Sequence, residues 1–278
     1  MRDAADPLSL RALYAVAGAA AWVAFRLFGL RRRVIRDNLA RSFPDWPAAR
    51  LRSVEREFVR RQGEVLAELF HTQRLDADEL RSRVRIANPE QLANASPGRP
   101  LILIGAHHCN SEWTFQRMAL EFGERFVALY KPIRNPRVDA WMLRLRTRFG
   151  ARLIPAKSVL MELARRRDAV AVGLIADQAP TTSPEKHWTQ FLNQDTAFYM
   201  GPELLGRALR SQVLLGRVRR LARGRYELAF EALNAPGERV PGGTITDRYA
   251  QALERWIRDD PAGWWWSHKR WKLKRETG

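Results

Sequence analysis

Apolar residues follow three different rhythms along this chain. Residues 12–30, ALYAVAGAAAWVAFRLFGL, are apolar almost without a break, Arg26 being the one charge. As a helix rising ~1.5 Å per residue, this stretch is just long enough to cross a hydrocarbon core. Its alanine content makes insertion weak, so an interfacial helix or a plain core helix fits the same pattern. A cleaved signal peptide fits less well, because Asp3 and Asp6 stand where a basic start would be. The rhythm then changes. Residues 34–47 read as a helix ended by Pro44. Residues 48–83 are charged, with Leu51, Val54, Phe58, Val65, Leu66, Leu69 and Phe70 at helical spacing, the pattern of an amphipathic helix. His71 has no evident partner there and reads as structural. After a polar loop at 94–100, short apolar runs alternate with helical segments. Strands are expected at 101–104, 126–130, 152–154, 169–176, 212–218 and 225–231, the last two as a hairpin across Gly224. Helices are expected at 139–148, 159–167, 202–209 and 247–258, with a loop at 235–243. Alternation of this kind predicts an α/β layered domain.

Charge narrows the partners. The chain carries 48 Lys+Arg against 30 Asp+Glu, a net +18. Such a surplus points to an anionic partner, a membrane surface or a nucleic acid. Ten tryptophans favour the membrane interface, and no nucleic-acid reading motif is present. Arg31, Arg32, Arg33 and Arg36 follow the apolar stretch, which by the positive-inside rule leaves the body of the protein cytoplasmic. One cysteine, Cys109, rules out an intramolecular disulfide and a Cys-based zinc site, and fits a reducing compartment.

Four clusters carry candidate chemistry. The strand at 101–104 runs into Gly105, Ala106, His107 and His108, followed by the helix-cap candidates Asn110 and Ser111 and then Glu112. A histidine and a carboxylate at a strand end suit a base and its orienting partner. His108 and Glu112 share a helix face, whereas five residues turn a helix about 500°, so His107 meets Glu112 only from within the turn. Spacing alone leaves both histidines open. The second cluster is Tyr130, Lys131, Pro132, Ile133, Arg134, Asn135 and Pro136, a loop whose cations suit a phosphate or an oxyanion. The third is Asp177 and Gln178 at another strand end, facing a crevice, with His187 and Trp188 in a polar run beyond. The fourth is the tail Trp264, Trp265, Trp266, His268, Lys269, Arg270, Trp271, Lys272 and Lys274, suited to lipid headgroups, with one or two tryptophans in the core as the plainer reading.

Gly105, His107, Asn110 and Glu112, in the order G-x-H-x-x-N-x-E, resemble the catalytic block of the bacterial lipid A biosynthesis acyltransferases, within the broader lysophospholipid acyltransferase superfamily. The Tyr130-Lys131-Pro132 loop with Asn135, Asp177-Gln178 with FLNQDTAFYMG at 191–201, WWWSHKRW at 264–271 and NLARSFP at 38–44 resemble further blocks in the same order. Lys131 departs from the Arg usual in that family. The resemblance implies an acyltransferase-type mixed sheet flanked by helices, preceded by an N-terminal membrane-associated helix. The expected divisions are an anchor at 1–30 and an acyltransferase domain at 31–278, itself made of a helical segment (31–98), an α/β core (99–235) and a C-terminal helix with the Trp/Lys tail (236–278). It implies fatty acyl transfer from acyl carrier protein or acyl-CoA to a hydroxyl of a lipid A precursor or related glycolipid, at the cytoplasmic face of the inner membrane, with no metal or organic cofactor. Relatives in the superfamily acylate lysophospholipids or aminolipids, so these acceptors are the alternatives. The implied roles are His107 as general base, Glu112 as its orienting acid, and Lys131, Arg134, Asn135, Asp177 and Gln178 in binding substrate or an oxyanion.

Overall fold

The computed structural model describes residues 8–95, 99–165, 168–180 and 185–275. Parts of the 94–100 loop, the end of the helix expected at 159–167 and the run after Pro180 therefore lie outside the described residues. The apolar stretch forms α1, Leu8–Trp22, extended by a π-helical turn over Val23–Leu27. The run Ser9–Leu27 is long and apolar enough to cross a membrane. One face of α1 is packed: Leu10, Tyr14 and Ala17 are buried with Ala67 of α3 (Ala48–His71). Small residues permit this closeness, since a side-chain carbon on Gly63 of α3 would come within 3.0 Å of the Ala17 carbonyl and 3.1 Å of Gly18 Cα. The opposite face leaves Val16, Trp22, Leu27 and Phe28 exposed. Between α1 and α3 lies α2 (Arg32–Ser42), which ends before Pro44 as expected. The helix expected over 48–83 is broken at residues 72–76, where Asp76 caps α4 (Ala77–Arg83) by accepting the Glu79 N–H.

The alternating half follows the sequence pattern closely. In chain order it comprises β1 (Val84–Ile86), β2 (Leu101–Gly105), α5 (Ser111–Phe122), β3 (Phe126–Tyr130), α6 (Pro136–Thr147), β4 (Arg152–Pro155), α7 (Val159–Arg165) and β5 (Ala171–Ile175). It continues with β6 (Lys186–Phe191), β7 (Gln194–Tyr199), α8 (Gly201–Leu209), β8 (Val213–Ala222), β9 (Arg225–Ala232) and α9 (Thr244–Asp259). Seven strands form one sheet in the order β1-β9-β8-β2-β5-β3-β4, parallel throughout except where β8 and β9 make the antiparallel hairpin. The central strands β2 and β5 are apolar throughout, and β8 opens on the buried Val213, Leu214 and Leu215 before its arginines, as strands covered on both faces must be.

Three strands escape the sequence pattern. β1 is three residues long and continues a charged run. β6 and β7 form a separate antiparallel hairpin whose strands are largely polar. Leu192 and Asn193 at its turn both have positive φ, the type I′ geometry that matches strand twist. Leucine is an unusual residue for that backbone. It is held there by burial and by its N–H on Glu254, 2.7 Å away. The tail also departs from a purely surface role. Trp264 and Trp266 belong to the main core, and the Arg270 side chain is buried, donating to the Ala197 carbonyl.

Candidate active site

The site is built at the C-terminal edge of the parallel strands by strand register. β2 and β5 run side by side with Gly105 opposite Ile175. Two residues beyond each partner stand His107 and Asp177, so the register alone sets them face to face. The Asp177 carboxylate grips His107 at two points. Oδ1 accepts from the ring Nδ1 at 2.7 Å and Oδ2 from the backbone N–H at 2.9 Å. The Trp264 indole N–H adds a third hydrogen bond to Oδ2, also 2.9 Å. Burial alone would raise the Asp177 carboxyl. The charge and hydrogen bonds of His107, with the Trp264 indole, outweigh it and hold the carboxyl at about 2. An ionised partner on Nδ1 fixes the neutral His107 tautomer with its proton on Nδ1 and a lone pair on Nε2. That atom faces the Gln178 amide nitrogen at 3.4 Å. The Trp265 ring, itself partly exposed, covers the imidazole with centroids 4.7 Å apart.

Glu112 does not occupy the orienting position expected for it. It lies in the first turn of α5, and its carboxylate is engaged by the Arg146 guanidinium of α6, the Nε bond measuring 3.1 Å. The acid on the His107 ring is Asp177. Asn110 is the cap that starts α5, accepting the Trp113 N–H at 2.8 Å. Its amide donates at 2.6 Å to Glu68 of α3, a fully buried carboxylate that also accepts from Tyr14 of α1 and Tyr226 of β9. Burial raises the Glu68 pKa against the pull of these three donors. Nothing in the spacing of residues singles out Glu68, which sits among the charges of an amphipathic helix.

His108, the rival base, is buried to 0% exposure. Its Nε2 is 3.0 Å from the Asp260 carbonyl and its ring packs on Trp256. Burial pushes its pKa down to about 4. Cys109 takes a left-handed backbone at φ 52°. His108, Cys109 and the Asp260 carboxylate form a compact group. A metal would need the thiolate, but burial pushes the Cys109 thiol well up, and Arg61 already holds both Asp260 oxygens at 2.7 Å. The group fits hydrogen-bonded packing behind the turn.

The other expected residues lie at the same sheet edge. Lys131 and Arg134 are exposed on the loop after β3, which is separated from β2 by β5. Asn135 caps α6, accepting from Arg137 and Val138 N–H groups. His71 is buried and meets Glu79 at 3.1 Å. His187 pairs with Asp247 at 2.9 Å. The terminal segments close the site from behind. Asn38 of α2 donates to the Trp266 and His268 carbonyls. The Trp265 N–H donates to the His107 carbonyl. His268, whose pKa burial lowers to about 4, accepts the Ala179 N–H through Nε2. Trp264, Trp265 and His268 thus join the site from a tail whose sequence suits a headgroup surface or, more plainly, one or two core tryptophans.

The sequence profile of one family, described as bacterial lipid A biosynthesis acyltransferase, matches residues 7–273. No curated protein matches the chain.

Proposed function

The chain belongs to the bacterial lipid A biosynthesis acyltransferase family, and from that premise we propose that it transfers a fatty acyl group from acyl carrier protein or acyl-CoA to a hydroxyl of a lipid A precursor or related glycolipid. The observation that carries the mechanism is the Asp177 clamp on His107, which leaves Nε2 as a proton acceptor at the open side of the ring. In this reading the acceptor hydroxyl gives its proton to Nε2 as its oxygen attacks the thioester carbonyl. Asp177 stabilises the imidazolium so formed. Collapse of the tetrahedral intermediate breaks the carbon–sulfur bond, and the imidazolium returns the proton to the departing thiolate. Gln178, beside the ring, positions the acceptor. Lys131 or Arg134 steadies the oxyanion or an acceptor phosphate, and Asn135 fixes their loop by capping α6. Glu112, tied to Arg146, shapes the polar wall at the start of α5.

We place the enzyme at the cytoplasmic face of the inner membrane. Supporting this are the exposed apolar residues of α1 and the turn after it, Val16, Trp22, Leu27 and Phe28, and the net charge of +18, which suits anionic lipid. Lipid mass spectrometry of the host with and without the gene tests the reading. The expected difference is one fatty acyl chain on a glycolipid, restored by the wild-type gene and not by His107→Ala. An acyl difference confined to phospholipids or aminolipids would move the acceptor to those classes. Restoration by His107→Ala would remove the base assignment.

A further inference from the structure

We propose that a cavity at the opposite edge of the sheet is a second binding site, for a small molecule carrying two or more phosphate groups. The cavity measures about 490 Å³, within the range of small-molecule sites. It is formed where α8 ends, β8 begins, β9 has ended and α9 starts, with Arg99 entering just before β2. β8 runs parallel to β2, so these segments lie at the strands' N-terminal edge. His107 stands at the C-terminal edge, about 16 Å away along the five residues of β2. The cavity is therefore separate from the reacting centre.

Its charge is one-sided. Arg99, Arg207, Arg210 and Arg239 all line it. Among the described residues, the side chains of Arg99, Arg210 and Arg239 make no hydrogen bond or ion pair with the protein. Arg207 has a carboxylate only at 3.7 Å, that of Glu203. Glu203 is itself buried and committed to the N–H groups of Gly243 and Thr246 and to the Thr246 hydroxyl. The single acid on the wall, Glu238, is held by both Arg248 nitrogens and by the Ala235 N–H. The acids nearby thus have other partners, and three of the four guanidinium groups that line the cavity have no counter-charge of their own. Planar guanidinium forks match phosphate oxygens, and several in one concavity match more than one phosphate. Val240 and Ile245 give the same cavity an apolar wall for a small organic moiety.

The test uses the full chain in detergent, titrated with inorganic pyrophosphate by calorimetry at ~0.15 M salt, where long-range attraction is screened. The comparison pair is Arg210→Asn with Arg239→Gln, asparagine being tolerant of the left-handed backbone that Arg210 adopts. The control removes the same charge elsewhere, by Arg52→Gln with Arg56→Gln on the exposed face of α3. We expect saturable binding, weakened about tenfold or more in the first pair and unchanged in the control. Adenosine 3′,5′-bisphosphate binding more tightly than pyrophosphate would identify a nucleotide-like source. Displacement of pyrophosphate by cardiolipin vesicles, whose headgroup carries two phosphates, would identify a lipid headgroup. Either supports the shared phosphate chemistry. Should the first pair fail to fold, Arg239→Gln alone, in the exposed loop before α9, carries the comparison. Unsaturable uptake, or equal loss in both pairs, would mean that only the overall positive charge is at work and would overturn the proposal.

Discussion

Replacing Asp177 by asparagine tests the site at its most specific point. The carboxylate serves three donors: the His107 ring and backbone N–H groups and the Trp264 indole. Asparagine keeps one acceptor oxygen. Two of the donors share Oδ2, so the amide is expected to turn its oxygen toward them and its NH2 group toward His107 Nδ1. A donor at that position forces the proton onto Nε2, which leaves the base atom occupied. The variant thus loses both the charge that stabilises the imidazolium and the working tautomer, and turnover should fall about 10³- to 10⁴-fold. KM should stay within about threefold, because the interaction forms mainly in the transition state. Stability should fall as well. The carboxyl is held at about 2 rather than 3.8, a stabilisation of about 2 kcal/mol for the ionised form. A depressed carboxyl stabilises the fold above its unfolded value and ceases to do so as pH falls from 3.8 through about 2. The wild-type advantage in denaturant midpoint should therefore be full at pH 7 and vanish near pH 2. Steady-state kinetics on Asp177→Asn and Glu112→Gln side by side decide the matter. Near-normal turnover in Asp177→Asn with a large loss in Glu112→Gln would refute the assignment of Asp177 as the orienting acid.

Three further outcomes follow from buried groups around the same turn. Glu68→Leu strands the donors of Tyr14, Asn110 and Tyr226 at about 1–3 kcal/mol each, so chemical denaturation should show a loss of at least ~3 kcal/mol. Glu68→Gln, whose oxygen can face Asn110 and Tyr226 while the Tyr14 hydroxyl turns to accept, should cost far less, and an equal cost would contradict this network. Gly263→Ala would set its new carbon 2.3 Å from His108 Cε1 in a fully packed ring site. It should destabilise by about 3 kcal/mol or more and lower activity through the displaced turn. A variant as stable as wild type would show that the turn has slack. His108 is held neutral, its pKa lowered from 6.5 to about 4. The unfolded chain then binds the extra proton between those values, so His108 contributes about 3 kcal/mol above pH 6.5 that is lost as pH falls toward 4. Unfolding free energies that stay flat across this window would exclude the buried neutral histidine.

The alternating half of the fold was legible because its core strands are unbroken apolar runs bounded by turn residues. Residues 126–130 coincide with β3, and the hairpin across Gly224 forms as its pattern predicts. The β6–β7 hairpin was not legible. Its strands carry Lys, His, Thr, Gln and Asp, and its turn places a buried leucine at positive φ, which no local preference favours. Glu68 was hidden for a related reason. On an amphipathic helix a glutamate reads as solvated, and only the arrival of α1, β9 and the Asn110 cap from elsewhere in the chain turns it inward.

The acid that serves His107 shows most clearly what sequence spacing omits. Glu112 is near in sequence, and the family motif joins the two residues. Yet Asn110 starts a helix between them, and that helix carries Glu112 to Arg146 on α6. Asp177 is 70 residues away, and its sequence context marks an acid at a strand end that binds substrate or an oxyanion, not the partner of His107. What brings it to the histidine is the order β2-β5 within the sheet and the pairing of Gly105 with Ile175. Each strand can be read from its own residues, but their adjacency cannot. Once adjacency and register are known, the third cluster ceases to be a separate candidate and becomes the other half of the first. The tail enters by the same logic. Trp264 reaches Asp177 because the chain after α9 returns along the turn, pairing with His108 as an isolated bridge. A tryptophan that composition assigns to the membrane surface instead supplies a hydrogen bond to the buried acid of the site.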